Sequence, residues 1–421
     1  MDTTSTDFNG TKTMFSKYAM PEGMLEIPRD LLDLRPDAEI DQDILNPPPV
    51  RDDKNIWFYW HQGFTKMHPY TQRNVRAYFR RLVPLGWVIR VVDRIPESPL
   101  NIDQFLQVND AKIFPKAYID GSLTGTYAIQ HCSDLVRFPL LLKYGGVYTD
   151  VGFLQIGDLD RLWKETIDNP RSPYEVMSYN GGNDDEYCLM NYFLAAKRNN
   201  PLFERCHRLF LALWNADGGQ LETTGMHKSP LLHGVPLMGG EFGYEDNGRT
   251  YSPKETSEIL TDYIIQGQAT RMVMSMEDPD DAWDGPRYTV EHVFAIEYME
   301  GSQLINEMTS WDGNEAFRLM SLSLPSIGQT ETPDQSTARH IVEQCLSRSF
   351  GFKLATGLIL KVLGETLSSN WRRHAGSDDI EGTYAHWLRY GMLYWTQKDL
   401  PMPITYKHIK PLRIGPLTGT N

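Results

Sequence analysis

Cysteine is scarce in this sequence and carries no metal or redox pattern. Four occur in 421 residues (Cys132, Cys188, Cys206 and Cys345), and no two are spaced C-x-x-C. A zinc knuckle and a thioredoxin-type dithiol are thereby excluded, and the low count suits a reducing compartment. Basic residues are outnumbered: 41 Lys and Arg stand against 55 Asp and Glu, a formal net charge of -14. Phosphate contacts need cations, so DNA is not an expected partner. Local clusters remain at Arg73, Arg76, Arg80 and Arg81, at Arg372 and Arg373, and at Lys407, Lys410 and Arg413. Long apolar runs are missing. The most apolar stretch, Leu354 to Leu363, is interrupted by Lys361 and is shorter than the roughly 20 residues of a membrane-spanning helix. Met1 to Thr13 is polar, without the apolar core of a secretory signal. These absences lead to the expectation of a cytoplasmic protein with no membrane partner.

What is present is the composition of a globular protein, 41% hydrophobic with 10 Trp, 21 Tyr and 17 Phe. Residues 1–54 read as an irregular arm closed by Pro47, Pro48 and Pro49. Ile56-Trp57-Phe58-Tyr59-Trp60 reads as a buried strand with His61-Gln62-Gly63 as its exit. Val75, Tyr78, Phe79 and Leu82 have helical spacing, and Trp87 to Val92 is a second buried strand ending at Asp93. That order gives a parallel βαβ unit. A helix over 127–143, a strand at Val147-Tyr148, strands at 175–179 and 191–196 and a helix over 201–214 follow. The expected organisation is an α/β domain over 55–325, a linker over 326–337 and a helical C-terminal extension with a tail over 338–421.

One segment carries chemistry: Ser133-Asp134-Leu-Val-Arg137, then Gly145-Gly146-Val-Tyr148-Thr-Asp150-Val-Gly152. Asp134 and Arg137, three apart, share a helical face. Two glycines then allow a tight turn. The next short strand ends in Asp150, where ligands bind in open α/β sheets, beyond the strands' carboxyl ends. A carboxylate there can hold Mg²⁺ or Mn²⁺ against a diphosphate.

The pattern S-D-x-x-R-x-x-x-L-x-x-x-G-G-x-Y-x-D resembles glycosyltransferases that share a domain with capsular polysaccharide synthesis proteins and with DxD sugar transferases. The resemblance runs from about Asn55 to about Leu162 and weakens towards Trp311. It implies a glycosyltransferase-A-like fold, a mixed, mostly parallel sheet flanked by helices. It also implies that Asp134 and Arg137 contact the donor nucleotide, that Asp134 and Asp150 are catalytic with Asp150 also the metal ligand, and that Trp60, His61, Gln62 and Tyr148 bind substrate. Thr224-Gly225 and Ser310-Trp311 look like eroded later motifs. The chain departs from the family at Gly152, where a second carboxylate is expected.

That departure, with Val92-Asp93-Arg-Ile-Pro96 upstream, gives a second resemblance, to fungal arginine-containing cyclodipeptide synthases. It makes arginyl-tRNA the expected partner and a diketopiperazine the expected product. The alternative is a metal-dependent glycosyltransferase using a nucleotide sugar, and a third reading is a binding module that has lost catalysis. Asp158 and Asp160 are candidates for substrate binding or a displaced metal site, although Asp158 before Leu159-Asp160-Arg161 also reads as a helix N-cap. His227 and His233 flank a loop able to reach the site, and Asp184-Asp185-Glu186 reads as a solvated loop or a cation ligand set.

Overall fold

The computed structural model describes residues 17–182, 187–240, 242–326, 328–407 and 409–418. At its centre are six strands: β1 (Asn55–Tyr59), β2 (Val88–Val92), β3 (Gly146–Thr149), β5 (Val176–Asn180), β6 (Leu189–Ala196) and β7 (Val293–Glu297); the short β4 (Phe153–Gln155) lies outside this sheet. The strand order is β7-β5-β6-β3-β1-β2. β6 alone runs antiparallel to its neighbours in this sheet; the other pairings, β7 with β5, β3 with β1 and β1 with β2, are parallel. This is the mixed, mostly parallel, helix-flanked sheet that the resemblance implies.

The strands alternate between two cores, as a pleated sheet covered on both faces requires. Trp57, Tyr59, Tyr148 and Leu194 point into one core, and Ile56, Phe58, Val147 and Phe193 into the other. Helix α2 (Pro69–Leu82) bridges β1 and β2, and α3 (Ala128–Tyr144) precedes β3. At the turn between α3 and β3 a Cβ on Gly146 would lie 2.2 Å from the Asn55 carbonyl oxygen, so only glycine lets the chain pass.

Two segments are more ordered than their composition indicates. Within the expected irregular arm, Asp37–Leu45 forms α1, with Ile40 and Ile44 fully buried one turn apart. Within the expected linker, α7 (Pro333–Arg348) begins at a capping box: Gln335 N donates to Thr332 Oγ1 at 3.2 Å, and Thr332 N donates to Gln335 Oε1 at 2.9 Å. The C-terminal segment is not purely helical. Strand β8 (Gly351–Lys353) pairs antiparallel with β4, setting Lys353 opposite Phe153. Beyond it lie α8 (Leu358–Leu363), α9 (Leu367–Arg373) and α10 (Tyr384–Tyr394). Trp371, Tyr384 and Leu388 share a core with Tyr70, Leu154 and Ile156, so this segment packs against the sheet domain.

The four cysteines are buried, and no helix among the described residues is long and apolar enough to cross a membrane.

Candidate active site

Asp134, Arg137 and Asp150 open onto one cavity of about 540 Å³ beyond the carboxyl end of β3. Arg137 is the hub. Its guanidinium lies 2.8 Å from Asp134 Oδ1 and 3.9 Å from Asp150 Oδ1. It also donates to the Asn191 carbonyl at 2.5 Å and to Ser133 Oγ at 2.9 Å. Beneath it lies the Tyr148 ring, 4.7 Å away. Burial alone would lower the Arg137 pKa, but Asp134, Tyr148 and Asp150 outweigh it and raise it, so the residue stays charged. Asp134 is further fixed by His131 at 3.2 Å, itself 3.2 Å from Thr223 Oγ1, and by Asn191 Nδ2 at 3.3 Å. The i, i+3 spacing on α3 brings His131, Asp134 and Arg137 to one face.

Asp150 is less enclosed, its side chain 29% exposed. Its backbone is set by N–H donation to the Tyr192 carbonyl at 2.9 Å and acceptance from Phe153 N at 2.9 Å. Its Oδ2 accepts from Lys353 Nζ at 2.7 Å. This lysine arrives from some two hundred residues downstream because β8 pairs with β4, and nothing local in the sequence marks it. Apolar groups complete the cavity: Phe242, Ile264, Trp311, Ile359, Val362 and Leu363. Three of these belong to the apolar stretch 354–363, now seen as a cavity wall. Ser310 and Trp311 both hold positive φ, 52° and 61°, a costly backbone for non-glycine residues that aims Trp311 at the cavity.

Other expected residues lie elsewhere. Tyr148 is fully buried under Arg137 and supports it without lining the cavity. Trp60, His61 and Gln62 sit at the exit of β1, on the same edge of the sheet but outside the cavity lining. His61 lies near Asp93 and Arg94, and burial together with Arg94 lowers its pKa. Asp158 and Asp160 line a separate cleft of about 290 Å³. Asp158 caps the helix Leu159–Glu165, accepting from Arg161 N at 2.9 Å. Asp160 accepts from Lys54 at 2.8 Å and Trp87 Nε1 at 2.9 Å and pairs with Lys164 at 2.6 Å. Burial would raise its pKa, but Lys164, Lys54 and Trp87 overcome that and lower it. Both are structural, so Asp158→Ala is expected to cost about 1 kcal/mol of stability in urea unfolding and to leave activity unchanged. His227 is also absent from the cavity. Its Nδ1 lies 2.8 Å from Asp262 Oδ1, and the same carboxylate accepts from Gly225 N at 2.7 Å and His227 N at 2.9 Å, which closes the turn. His233 is exposed, and Asp184, Asp185 and Glu186 lie outside the described residues.

The residues around Asp150 do not fit Mg²⁺ or Mn²⁺. A hard divalent ion needs several oxygen ligands. Gly152 offers none, Lys353 takes one Asp150 oxygen, and Asp134 is engaged with Arg137, His131 and Asn191. Among the described residues no group of three or more His, Cys, Asp or Glu is placed to hold a metal ion.

Comparison with known proteins bears on the reaction. A sequence model of the family described as capsular polysaccharide synthesis protein matches residues 33–221. The chain is 31% identical over 400 residues to O-glycosyltransferase braB of Annulohypoxylon truncatum, spanning 94% of this chain and 92% of that protein. The chain belongs to this glycosyltransferase family. It is 32% identical over 391 residues to glycosyltransferase afumC of Aspergillus fumigatus (90% of this chain, 95% of that protein). With O-glycosyltransferase PaGT of Phomopsis amygdali it shares 28% over 394 residues (92% and 94%). As a member of the family it is a transferase, and its C-terminal segment is part of what the relatives share.

These relatives overturn the expectation of a cyclodipeptide synthase charged by arginyl-tRNA. The basic cluster at Arg73, Arg76, Arg80 and Arg81 is used inside the protein. Arg73 pairs with Asp378, Arg76 with Asp41 at 2.7 Å, and Arg80 with Asp37 at 2.7 Å. Arg81 donates to the carbonyls of Gln155, Ile156, Gly157 and Met392, and burial lowers its pKa to about 10.

Proposed function

We propose that this chain transfers a sugar from a nucleoside-diphosphate donor to the hydroxyl of an apolar acceptor. The observation that carries the reading is the two-sided cavity in a member of this family. Arg137 and Lys353 supply the positive charge a sugar diphosphate requires, and Asp134 and Asp150 hold those cations at the cavity. Trp311, Ile359, Val362 and Leu363 supply a wall that favours a largely hydrocarbon aglycone. Two of the relatives are named O-glycosyltransferases, which agrees with a hydroxyl acceptor. Arg137 pairs with Asp134 at 2.8 Å and lies 3.9 Å from Asp150, the more open of the two carboxylates and the one placed to face the donor.

The test is incubation of the protein with a panel of nucleotide sugars and hydrophobic alcohols, with mass spectrometry of the products. A glycoside and free nucleoside diphosphate are expected from at least one pair. Consumption of no nucleotide sugar, with any acceptor or with water, would contradict the reading. A charge in the apolar wall separates the two substrates. Val362→Asp is expected to raise the acceptor KM by at least about tenfold, because the carboxylate must be desolvated against the aglycone, while hydrolysis of the donor by water continues.

A further inference from the structure

Gly152 stands where the resemblance implies a second carboxylate, and nothing about the backbone demands glycine there. Its φ lies outside the left-handed region, and a Cβ would meet its nearest neighbour, the Leu354 carbonyl oxygen, at 3.4 Å, an ordinary contact. The same Cβ would lie 3.7 Å from Lys353 Nζ. An ammonium therefore lies beside the place a second carboxylate would have occupied, 2.7 Å from the carboxylate that remains. The local charge is unchanged by the exchange. Two carboxylates around a divalent cation sum to zero, and so do Asp150 and Lys353.

We infer that Lys353 takes the place of the divalent cation, its ammonium holding the donor diphosphate, so that transfer by this chain requires no metal. The inference rests on the sugar-transfer reading. A lysine ammonium has three N–H donors, and its hydrogen bond to Asp150 uses one. The other two suit phosphate oxygens. In the transfer the bond from the anomeric carbon to the phosphate oxygen breaks, and its electron pair stays on that oxygen. The anomeric carbon bonds to the acceptor oxygen, and the acceptor's proton is released to solvent. Negative charge grows on the diphosphate in this step, where the Lys353 N–H groups meet it. Asp150 positions the ammonium, and β8 anchors it to β4. The C-terminal segment thereby completes a site whose other charged residues lie in the α/β domain.

The test measures transfer, and binding of uridine and guanosine diphosphates by calorimetry, in excess EDTA and in Mn²⁺. Wild-type transfer in EDTA is expected to stay within about twofold of the rate in Mn²⁺, because no bound cation is removed. Lys353→Met is expected to lose about 100-fold or more in transfer, as when a donor to developing negative charge is removed. It is also expected to lose diphosphate binding in EDTA, with an unchanged circular dichroism spectrum. Lys353→Arg keeps the cation and is expected to retain binding. In Gly152→Asp combined with Lys353→Ala, transfer is expected only when Mn²⁺ is added. Wild-type transfer that stops in EDTA and returns with Mn²⁺ would overturn the inference and leave sugar transfer standing. Diphosphate binding by Lys353→Met equal to wild type would also overturn it. Absence of transfer under both conditions would remove the sugar-transfer reading and this inference with it.

Discussion

Asp150→Asn is expected to reduce transfer about 100-fold or more while moving the unfolding midpoint little. The substitution keeps the side chain's shape but removes the charge that holds Lys353 and faces Arg137. The ammonium is then released from its fixed position, and an acceptor for sugar hydroxyls is weakened. Stability changes little because the Asp150–Lys353 pair is partly open to water, where ion pairs contribute under about 1 kcal/mol. A stability loss with transfer intact would make Asp150 a structural residue. Asp134→Asn differs in kind. Asp134 is enclosed by Arg137, His131 and Asn191, so both readouts are expected to fall.

The largest stability effect is expected at Asp378. Its carboxylate is fully buried between Arg73 of α2 and Arg389 of α10, the latter at 2.7 Å. It ties the C-terminal segment, which delivers Lys353, to the helix between β1 and β2. Asp378→Asn leaves two arginines without their shared counter-charge, one of them buried, and is expected to cost about 3–5 kcal/mol by denaturant titration. Burial alone would raise the Asp378 pKa, but Arg389 and Arg73 outweigh it and hold it below the ordinary carboxylate range. A carboxylate whose pKa is depressed by folding stabilises the native state above its unfolded value of about 4. That contribution is lost as pH falls through the folded value. The wild type should therefore lose stability below about pH 4 more steeply than Asp378→Asn. Parallel acid curves for the two proteins would show that Asp378 carries no such linkage.

The sheet was legible wherever local pattern sufficed. Ile56 to Tyr59 is a continuous apolar run and Val88 to Val92 one broken only by Arg90, the kind of segment a strand covered on both faces buries, and the Asp134-to-Asp150 spacing marked the charged wall of the cavity. What eluded sequence reading depends on long-range pairing. Lys353 reaches Asp150 through a short antiparallel strand with no signal of its own. The apolar stretch 354–363 looks like core material and becomes a cavity wall. Arg73, Arg76, Arg80 and Arg81 read as a free basic cluster because their partners, Asp378 among them, are distant in sequence or are backbone carbonyls. The capping box at Thr332 and Gln335 was hidden by prolines that mark a helix start as readily as a linker. Asp158 could be read locally as a cap, and that is its place in the fold.

The central claim is that one cavity, formed by Asp134, Arg137, Asp150 and Lys353 on one side and by Trp311, Ile359 and Val362 on another, joins a sugar to an apolar alcohol. A crystal structure of the protein with a non-hydrolysable nucleotide sugar and a hydrophobic acceptor tests it most directly. The account predicts the diphosphate within hydrogen-bonding reach of Lys353 and the acceptor against Trp311. A donor seated in the cleft beside Asp158 and Asp160, with the Asp150 cavity unliganded, would contradict it.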